Sequence, residues 1–535
     1  MILKKNKAFA IFFLYLFITL LFTKIDYRFI DEIPCCQDDH DYYSHSETIA
    51  IDFDLDYSNQ YIGFEKERYY KNNVIAPRGF VGSGLLASPF LFAGDLLDKN
   101  LKSNSMIFNY RILFYSVSAL FYFFLSIYLL NISFKNLKLE TNLNYLFLLF
   151  MGSGMPYFVF ERYSMTHVYE VFTISLVIYL VIKFYTYTAS SNYFSLLIPI
   201  ATILAISVRW VNYHVLFIPF ILKILFNDKF NVKNRLINNY FFYLSYFAST
   251  GIFLILNKAI YGVYTINPAV VYGSSNKLDY FLEMGFLNML KTIIFSMLKI
   301  MFTKEFGIFW FSPILFIALC FLFYFSIISK KHSFFNYFFI LIIFGIPFST
   351  VVLWQSTASS YGFRYLYSLL PLAILVFAKW SLDNKNIILN NYLFYFSIFS
   401  SLSIIFFETT SLTSLSQNIN TFGIEERFSQ PNYLIGYLKS VVNIEAYLKI
   451  FTTSFLGVIF FKLLFSFFPI DTVNNLLKNF NLPVENEDYI SFISNLESVS
   501  GLKIFIFSFT VSSIVYFFTL KIQRTNTSLS KLYLD

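Results

Sequence analysis

Thirteen apolar runs recur along this chain of 535 residues, and nothing else in the sequence constrains its fold as strongly. They fall at residues 8–23, 108–132, 143–159, 167–187, 193–208, 211–226, 238–257, 308–329, 335–354, 365–381, 391–407, 447–468 and 503–520. A helix needs about 20 residues to cross a hydrocarbon core of about 30 Å. The runs therefore predict an all-α polytopic membrane protein. Composition agrees: 57% of residues are apolar and only 13% are charged, against about 25% in a soluble domain. With 72 Phe and 41 Tyr, lipid must solvate much of the aromatic surface. The net charge of +8 is spread along the chain. A nucleic-acid footprint would need a clustered basic face, so that partner class is excluded.

Residues 193–226 are nearly continuous apolar sequence with Arg209 in the middle. As one helix, these 34 residues would be about 51 Å long. A charge at the bilayer centre is also costly. Two short spans with Arg209 at the turn between them resolve both problems.

Lys4, Lys5 and Lys7 precede the first run, and no small-residue cleavage site follows it. The first run is expected to be a retained span with its basic end in the cytoplasm. Residues 24–105 are then a large extracytoplasmic loop, rich in acid: Asp31, Glu32, Asp38, Asp39, Asp41, Glu47, Asp52, Asp54 and Asp56. Its second half, 79–97, is apolar with Gly82, Ser83, Gly84 and Pro89, and is expected to lie along or dip into the interface. Short interfacial helices are expected in this loop. Inner loops carry the Lys and Arg expected of them: Lys135 and Lys138, Lys229, Lys233 and Arg235, Lys330 and Lys331, Lys379 and Lys385. The C-terminal part does not obey: an odd number of spans puts Lys521, Arg524 and Lys531 outside. The chain divides at about residue 407 into a membrane module, 1–407, and a C-terminal part, 408–535, whose topology the charge pattern leaves unassigned.

The three cysteines, Cys35, Cys36 and Cys320, form neither a disulfide framework nor zinc spacing. His40 and His45 with Asp41 offer too few converging ligands for a metal site, and none is assigned. Asp52, Asp54 and Asp56 could hold a divalent cation through oxygen, against the plainer view of a solvated turn. No other cofactor is implied. Glu170 and His214 lie within apolar runs and read as buried, hydrogen-bonded groups.

Isolated polar residues collect at the outer ends of the runs. Arg162 and His167 fall at one outer turn, Arg209 at the next, Lys304 at the end of the fourth outer loop and Arg364 at the start of the tenth run. Arg78 lies in the first loop itself. Intramembrane charges are functional candidates by default. Carboxylates can take a proton from a hydroxyl, Arg pairs with phosphate by a two-pronged fork, and apolar walls suit a lipid chain. This combination suits transfer of a group from a lipid phosphate ester to a hydroxyl acceptor.

Asp38-Asp39-His40-Asp41-Tyr42-Tyr43, then Glu47 through Asp56, then Asn59-Gln60-Tyr61, resembles the first outer loop of the GT-C glycosyltransferases. The likeness is to their bacterial protein mannosyltransferase-like and aminoarabinose transferase-like branch. Pro77-Arg78-Gly79-Phe80 and Ser88-Pro89-Phe90 continue it. Arg162 to His167, Val208-Arg209-Trp210-Val211-Asn212, Phe306 to Pro313 and Tyr361-Gly362-Phe363-Arg364-Tyr365 resemble later family turns in the same order. Trp210 stands where Pro is common in the family. The resemblance implies a GT-C-like bundle and a sugar donor linked to polyprenyl phosphate. The acceptor would be a lipid, glycan or protein hydroxyl, and the active site would face the extracytoplasmic side of the inner membrane. It implies a catalytic base at Asp38, with Asp39 sharing or replacing the role and Asp31-Glu32 as a rival pair. Arg78, Arg162, His167, Arg209, Lys304 and Arg364 would bind substrate.

Two other classes compete. A transporter or flippase of lipid-linked sugars should show related halves and broken helices near the midplane, and no internal repeat is present. An O-antigen polymerase- or ligase-like enzyme usually has its large outer loop late in the chain, whereas here the first loop is largest.

Overall fold

The structure is a computed structural model. It describes residues 37–61, 69–101, 110–139, 163–186, 191–230, 239–272, 285–302, 308–328, 334–353 and 364–384, with a few isolated positions between and beyond. The runs at 8–23, 391–407 and 503–520 lie outside the described residues, as do Asp31, Glu32, Cys35, Cys36, the run at 447–468 apart from Phe468, and the bulk of 408–535.

The described chain is mostly helical. Four helices are long and apolar enough to cross a membrane: Tyr110–Asn136, His167–Thr186, Trp210–Lys229 and Tyr240–Tyr261. Asn192–Val208, Ile314–Ile327 and Phe334–Phe348 are shorter apolar helices. By length and composition these helices are compatible with an all-α membrane protein.

The first loop is ordered by three local devices. Helix α1 (Gln37–Glu47) is polar in composition, and Asp38 and Asp39 in its first turn suit the positive end of the helix dipole. Tyr42 and Tyr43 tie it to the core. A π-helical turn, Thr48–Asp52, follows and ends at Phe53, which takes a left-handed conformation. A two-residue hairpin then pairs β1 (Tyr70–Lys71) with β2 (Val74–Ile75), in the register Tyr70 with Ile75 and Lys71 with Val74. Its turn residues, Asn72 and Asn73, both have positive φ (49° and 65°), as a tight hairpin turn demands and Asn tolerates. The hairpin adds a strand pair to the short helices expected in this loop.

Of the segment 79–97, expected at the interface, all but the first three residues belong to a continuous 20-residue helix, α2 (Gly82–Leu101). Its small residues serve close packing. A Cβ at Gly82 would sit 2.5 Å from the Ser207 carbonyl carbon, and one at Gly84 would sit 2.5 Å from the His45 Cβ. Helix α2 thus lies against both α1 and the end of α5.

Helices α3 (Tyr110–Asn136), α4 (His167–Thr186) and α5 (Ser191–Val208) pack in sequence order, each against the next. Helix α4 has sixteen of its side chains buried among the described residues. It also touches α6 (Ile218–Phe226), the 3-10 turn Arg364–Leu369 and α11 (Leu370–Asn384). The break foreseen at Arg209 is present: its backbone is extended (φ −162°, ψ 139°), between α5 and a 3-10 segment, Trp210–Phe217. The Asn212 side chain donates to the Ala205 carbonyl in the last turn of α5 at 2.8 Å, and the Arg209 N–H reaches the same carbonyl at 3.4 Å. Pro219, in the first turn of α6, restarts the helix where its missing N–H costs nothing.

Helix α7 (Tyr240–Tyr261) packs on α5 and exposes much of its apolar surface, Phe247 most of all. Helix α8 (Phe286–Phe302) falls in the stretch the sequence assigned to the fourth outer loop. Lys291 and Lys299 interrupt its apolar run, which conceals a helix from a search for span-length segments. Helices α9 (Pro313–Phe323) and α10 (Phe334–Leu353) pack on each other, and α9 also packs on α11.

Candidate functional site

Helix periodicity sorts the acidic residues of α1 by face, since residues three and four apart share a side. Asp38, Asp41, Tyr42 and His45 lie along one stripe, and Asp39 and Tyr43 lie along another. The Ser164 hydroxyl donates to Asp39, which is 2% exposed. Asp38 is different: its side chain is 49% exposed, and its Oδ2 accepts from the Arg364 guanidinium (Nη2) at 3.0 Å. The two candidate bases of the acidic pair therefore serve different neighbours.

Arg364 starts the 3-10 turn that packs on α4, and its side chain is 7% exposed. Besides Asp38 it reaches the Met165 sulfur at 3.6 Å from Nη1 and the Tyr365 hydroxyl at 3.3 Å from Nη2. Arg209 comes from the break between α5 and the 3-10 segment. Its Nη1 donates to Glu170 Oε1 at 3.1 Å. His167 Nδ1 lies 3.2 Å from both the Arg209 guanidinium and Glu170 Oε1. The Thr166 hydroxyl also donates to Glu170, at 2.8 Å. Both arginines lie near one ring, Tyr365: the Arg209 Cζ is 4.4 Å from its centroid and the Arg364 Cζ 5.1 Å. Both distances suit cation–π attraction.

A second group adjoins this one. The Tyr61 hydroxyl donates to Asp41 Oδ1 at 2.8 Å, and the Tyr61 and Tyr69 rings lie 4.1 Å apart. Burial pushes the Asp41 carboxyl up to about 7; the Tyr61 and Tyr69 hydroxyls and Arg78 pull against that rise, and Asp38 adds to it. The Arg78 Cζ lies 5.8 Å from the Tyr69 ring. Gly79 beside it has φ +91°, and a Cβ there would meet the Tyr42 ring at 2.8 Å. Its carbonyl accepts from the Tyr261 hydroxyl and lies 3.1 Å from His45 Nε2. Burial pushes His45 down to about 4, against the opposing effect of that carbonyl.

The structure thus brings Asp38, His167, Arg209 and Arg364 into one neighbourhood and sets Arg78 beside Asp41, one turn along the same helix. Arg162 and Lys304 lie outside the described residues. The Nε atoms of Arg78, Arg209 and Arg364 are all buried and have no hydrogen-bond partner among the described residues. Buried polar groups are normally paired. Three guanidiniums with spare donors give the neighbourhood unused capacity for an anion.

Tyr365, Tyr61 and Ser164 lie in motifs noted in the sequence, but sequence reasoning assigned them no role in the site. Tyr365 was legible as the aromatic neighbour of Arg364, but Arg209 joins it only through tertiary structure. Glu170, read as a buried hydrogen-bonded group, is the counterion of Arg209. His214 is buried, with Nδ1 3.0 Å from the Val211 carbonyl. The acidic trio forms local turns: Asp54 and Asp56 accept from the backbone N–H two residues on, and Asp52 accepts from Asn59 and Gln60. No cluster of metal-ligating side chains occurs among the described residues. Comparison with known protein families, curated proteins and solved structures found no match.

Proposed function

We propose that this chain is a membrane glycosyltransferase that moves a sugar from polyprenyl phosphate to an acceptor hydroxyl, with inversion, at the extracytoplasmic face of the inner membrane. The observation that carries this is the Asp38 carboxylate held 3.0 Å from Arg364, whose ring neighbour Tyr365 is shared with Arg209. A half-exposed carboxylate beside two buried cations offers a proton acceptor next to an anion site. The order of motifs from Asp38 to Arg364 and the lysines of the inner loops support the same reading.

In this reading Asp38 takes the acceptor proton as the acceptor oxygen bonds to the anomeric carbon. The bond from that carbon to the phosphate oxygen breaks, and its electron pair leaves on the phosphate. Arg209 and Arg364 stabilise the growing charge. One displacement and no covalent intermediate inverts the carbon.

The test uses the full-length protein in proteoliposomes with radiolabelled polyprenyl-phosphate sugars and a membrane extract as acceptor source. Transfer of label to a chloroform-insoluble or chromatographically distinct product is expected. Movement of intact donor across the bilayer without transfer would replace this reading with the transporter one. The orientation is checked separately: a cysteine at the exposed Ser58 should react with an impermeant thiol reagent on intact cells. Labelling only after permeabilisation would invert the topology and move the site to the cytoplasm.

A further inference from the structure

We propose that Arg364 is shared between Asp38 and the donor phosphate, so that donor binding releases the base and the donor must bind before the acceptor. The proposal rests on the glycosyltransferase reading above. Its own ground is the geometry of one nitrogen. A guanidinium grips phosphate bidentately along an edge. Its two accessible edges, Nε with Nη2 and Nη1 with Nη2, both include Nη2. Nη2 is the atom that donates to Asp38 at 3.0 Å and contacts the Tyr365 hydroxyl at 3.3 Å. Among the described residues Nε is buried without a partner, and the Nη1 contact is to the Met165 sulfur, a weak acceptor. A phosphate that uses either edge meets the Asp38 carboxylate at Nη2, where two anions repel.

Arg209 shows that the sharing is particular to Arg364. Its carboxylate, Glu170, is 0% exposed, sits within helix α4 and accepts from Thr166 as well. Glu170 cannot leave without stranding a buried charge. Asp38 is in the first turn of α1, a helix otherwise largely buried, but has half its own side chain in solvent, so it can exchange Arg364 for water. While paired with Arg364, Asp38 is a weak base; next to a bound phosphate and without the arginine it is a stronger one. An acceptor hydroxyl that arrives first finds the base engaged.

The experiment measures binding of a fluorescent short-chain polyprenyl monophosphate to the full-length protein in neutral-lipid nanodiscs. Asp38→Asn is expected to bind the probe about tenfold more tightly than the wild type, since it removes a half-exposed competitor for the arginine. Arg364→Gln is expected to bind more weakly. The double variant should match Arg364→Gln, because the Asp38 effect acts through that arginine. Equal or weaker binding by Asp38→Asn, with normal wild-type binding, would overturn the sharing and leave the glycosyltransferase reading standing. A tightening that persists in the double variant would also overturn it, by assigning the effect to general charge. A wild-type protein that does not bind the probe would sink the donor reading itself, and the proposal with it.

Discussion

Arg209 and Arg364 sit near the same tyrosine ring, yet their carboxylate partners come from opposite kinds of surroundings. Glu170 belongs to a helix with sixteen buried side chains and is held by Thr166, His167 and Arg209. Asp38 opens a polar helix of the first loop and is half in solvent. A buried ion pair is a fixed structural element, because losing one partner strands the other. In the Asp38–Arg364 pair the arginine is buried but the carboxylate is half in solvent, so Asp38 can leave without being stranded, provided another anion takes its place at the arginine. The comparison teaches that two arginines of one candidate anion site can divide the work, one as a fixed wall and the other as a contact open to competition.

The largest effect that would test this division is on turnover. Asp38→Asn is expected to lower the transfer rate by about 10²–10⁴, the scale of a lost general base; its amide oxygen can still accept from the buried Arg364, so the unfolding midpoint in detergent should fall less than in Glu170→Ala. Near-normal turnover in Asp38→Asn with loss in Asp39→Asn would move the base to the other face of α1. Glu170→Ala is the converse. It should destabilise the protein by about 3–5 kcal/mol by leaving Arg209 buried and unpaired. A thermal-unfolding curve unchanged from the wild type would show that the two pairs do not differ in kind.

Smaller effects separate the two sides through their packing. Gly82→Ala presses on Ser207 and Val208, directly before Arg209, and Gly84→Ala presses on His45 in the helix that carries Asp38. Each should cost about 1–3 kcal/mol by overpacking. Gly82→Ala should also weaken polyprenyl monophosphate binding through the displaced Arg209. If both variants unfold at the wild-type midpoint, the close approaches at these glycines are not tight.

The smallest effect is one of slope. Asp41 is a buried carboxyl like Glu170, but no ion pair holds it among the described residues, and burial sets it at about 7 instead of the ordinary 3.8. The folded state therefore holds more protons than the unfolded one between these values, so the Asp41 contribution to stability is present at low pH and is lost as pH rises through 7. His45, pushed down to about 4, opposes it, since its folded form binds fewer protons between 4 and 6.5. Comparing Asp41→Asn with the wild type isolates the first term. The variant should gain on the wild type from pH 5 to 7, by at most about 1.4 kcal/mol per pH unit, and then level off. An offset that does not change with pH would count against it.

Much of the site's membership was written in the chain. Arg209 was marked by its position inside an apolar run too long for one span, and Arg364 and His167 by theirs at the ends of runs. What could not be read was pairing. Asp38 and Arg364 are 326 residues apart, and Ser164 and Asp39 are 125 apart. No local period encodes such contacts. The sorting of Asp38 and Asp39 onto different faces was implicit in helical spacing, but it required knowing that this polar segment is a helix at all. Helix α8 escaped because its lysines break the apolar run, so length and hydropathy alone do not reveal it.

The sequence by itself determined that this is a helical membrane protein with an acidic first loop, and that the chain breaks at Arg209. Those features follow from the local cost of placing apolar surface in water and charge in lipid. Tertiary structure alone decided which carboxylate meets which arginine, which of them is buried, and that one tyrosine ring serves both cations. These depend on the close approach of α1, α2 and α5 at Gly82 and Gly84 and on the packing of the 364–369 turn against α4. The energy of an ion pair is set by how much water surrounds it, and water access is a property of the packed molecule that no single segment carries.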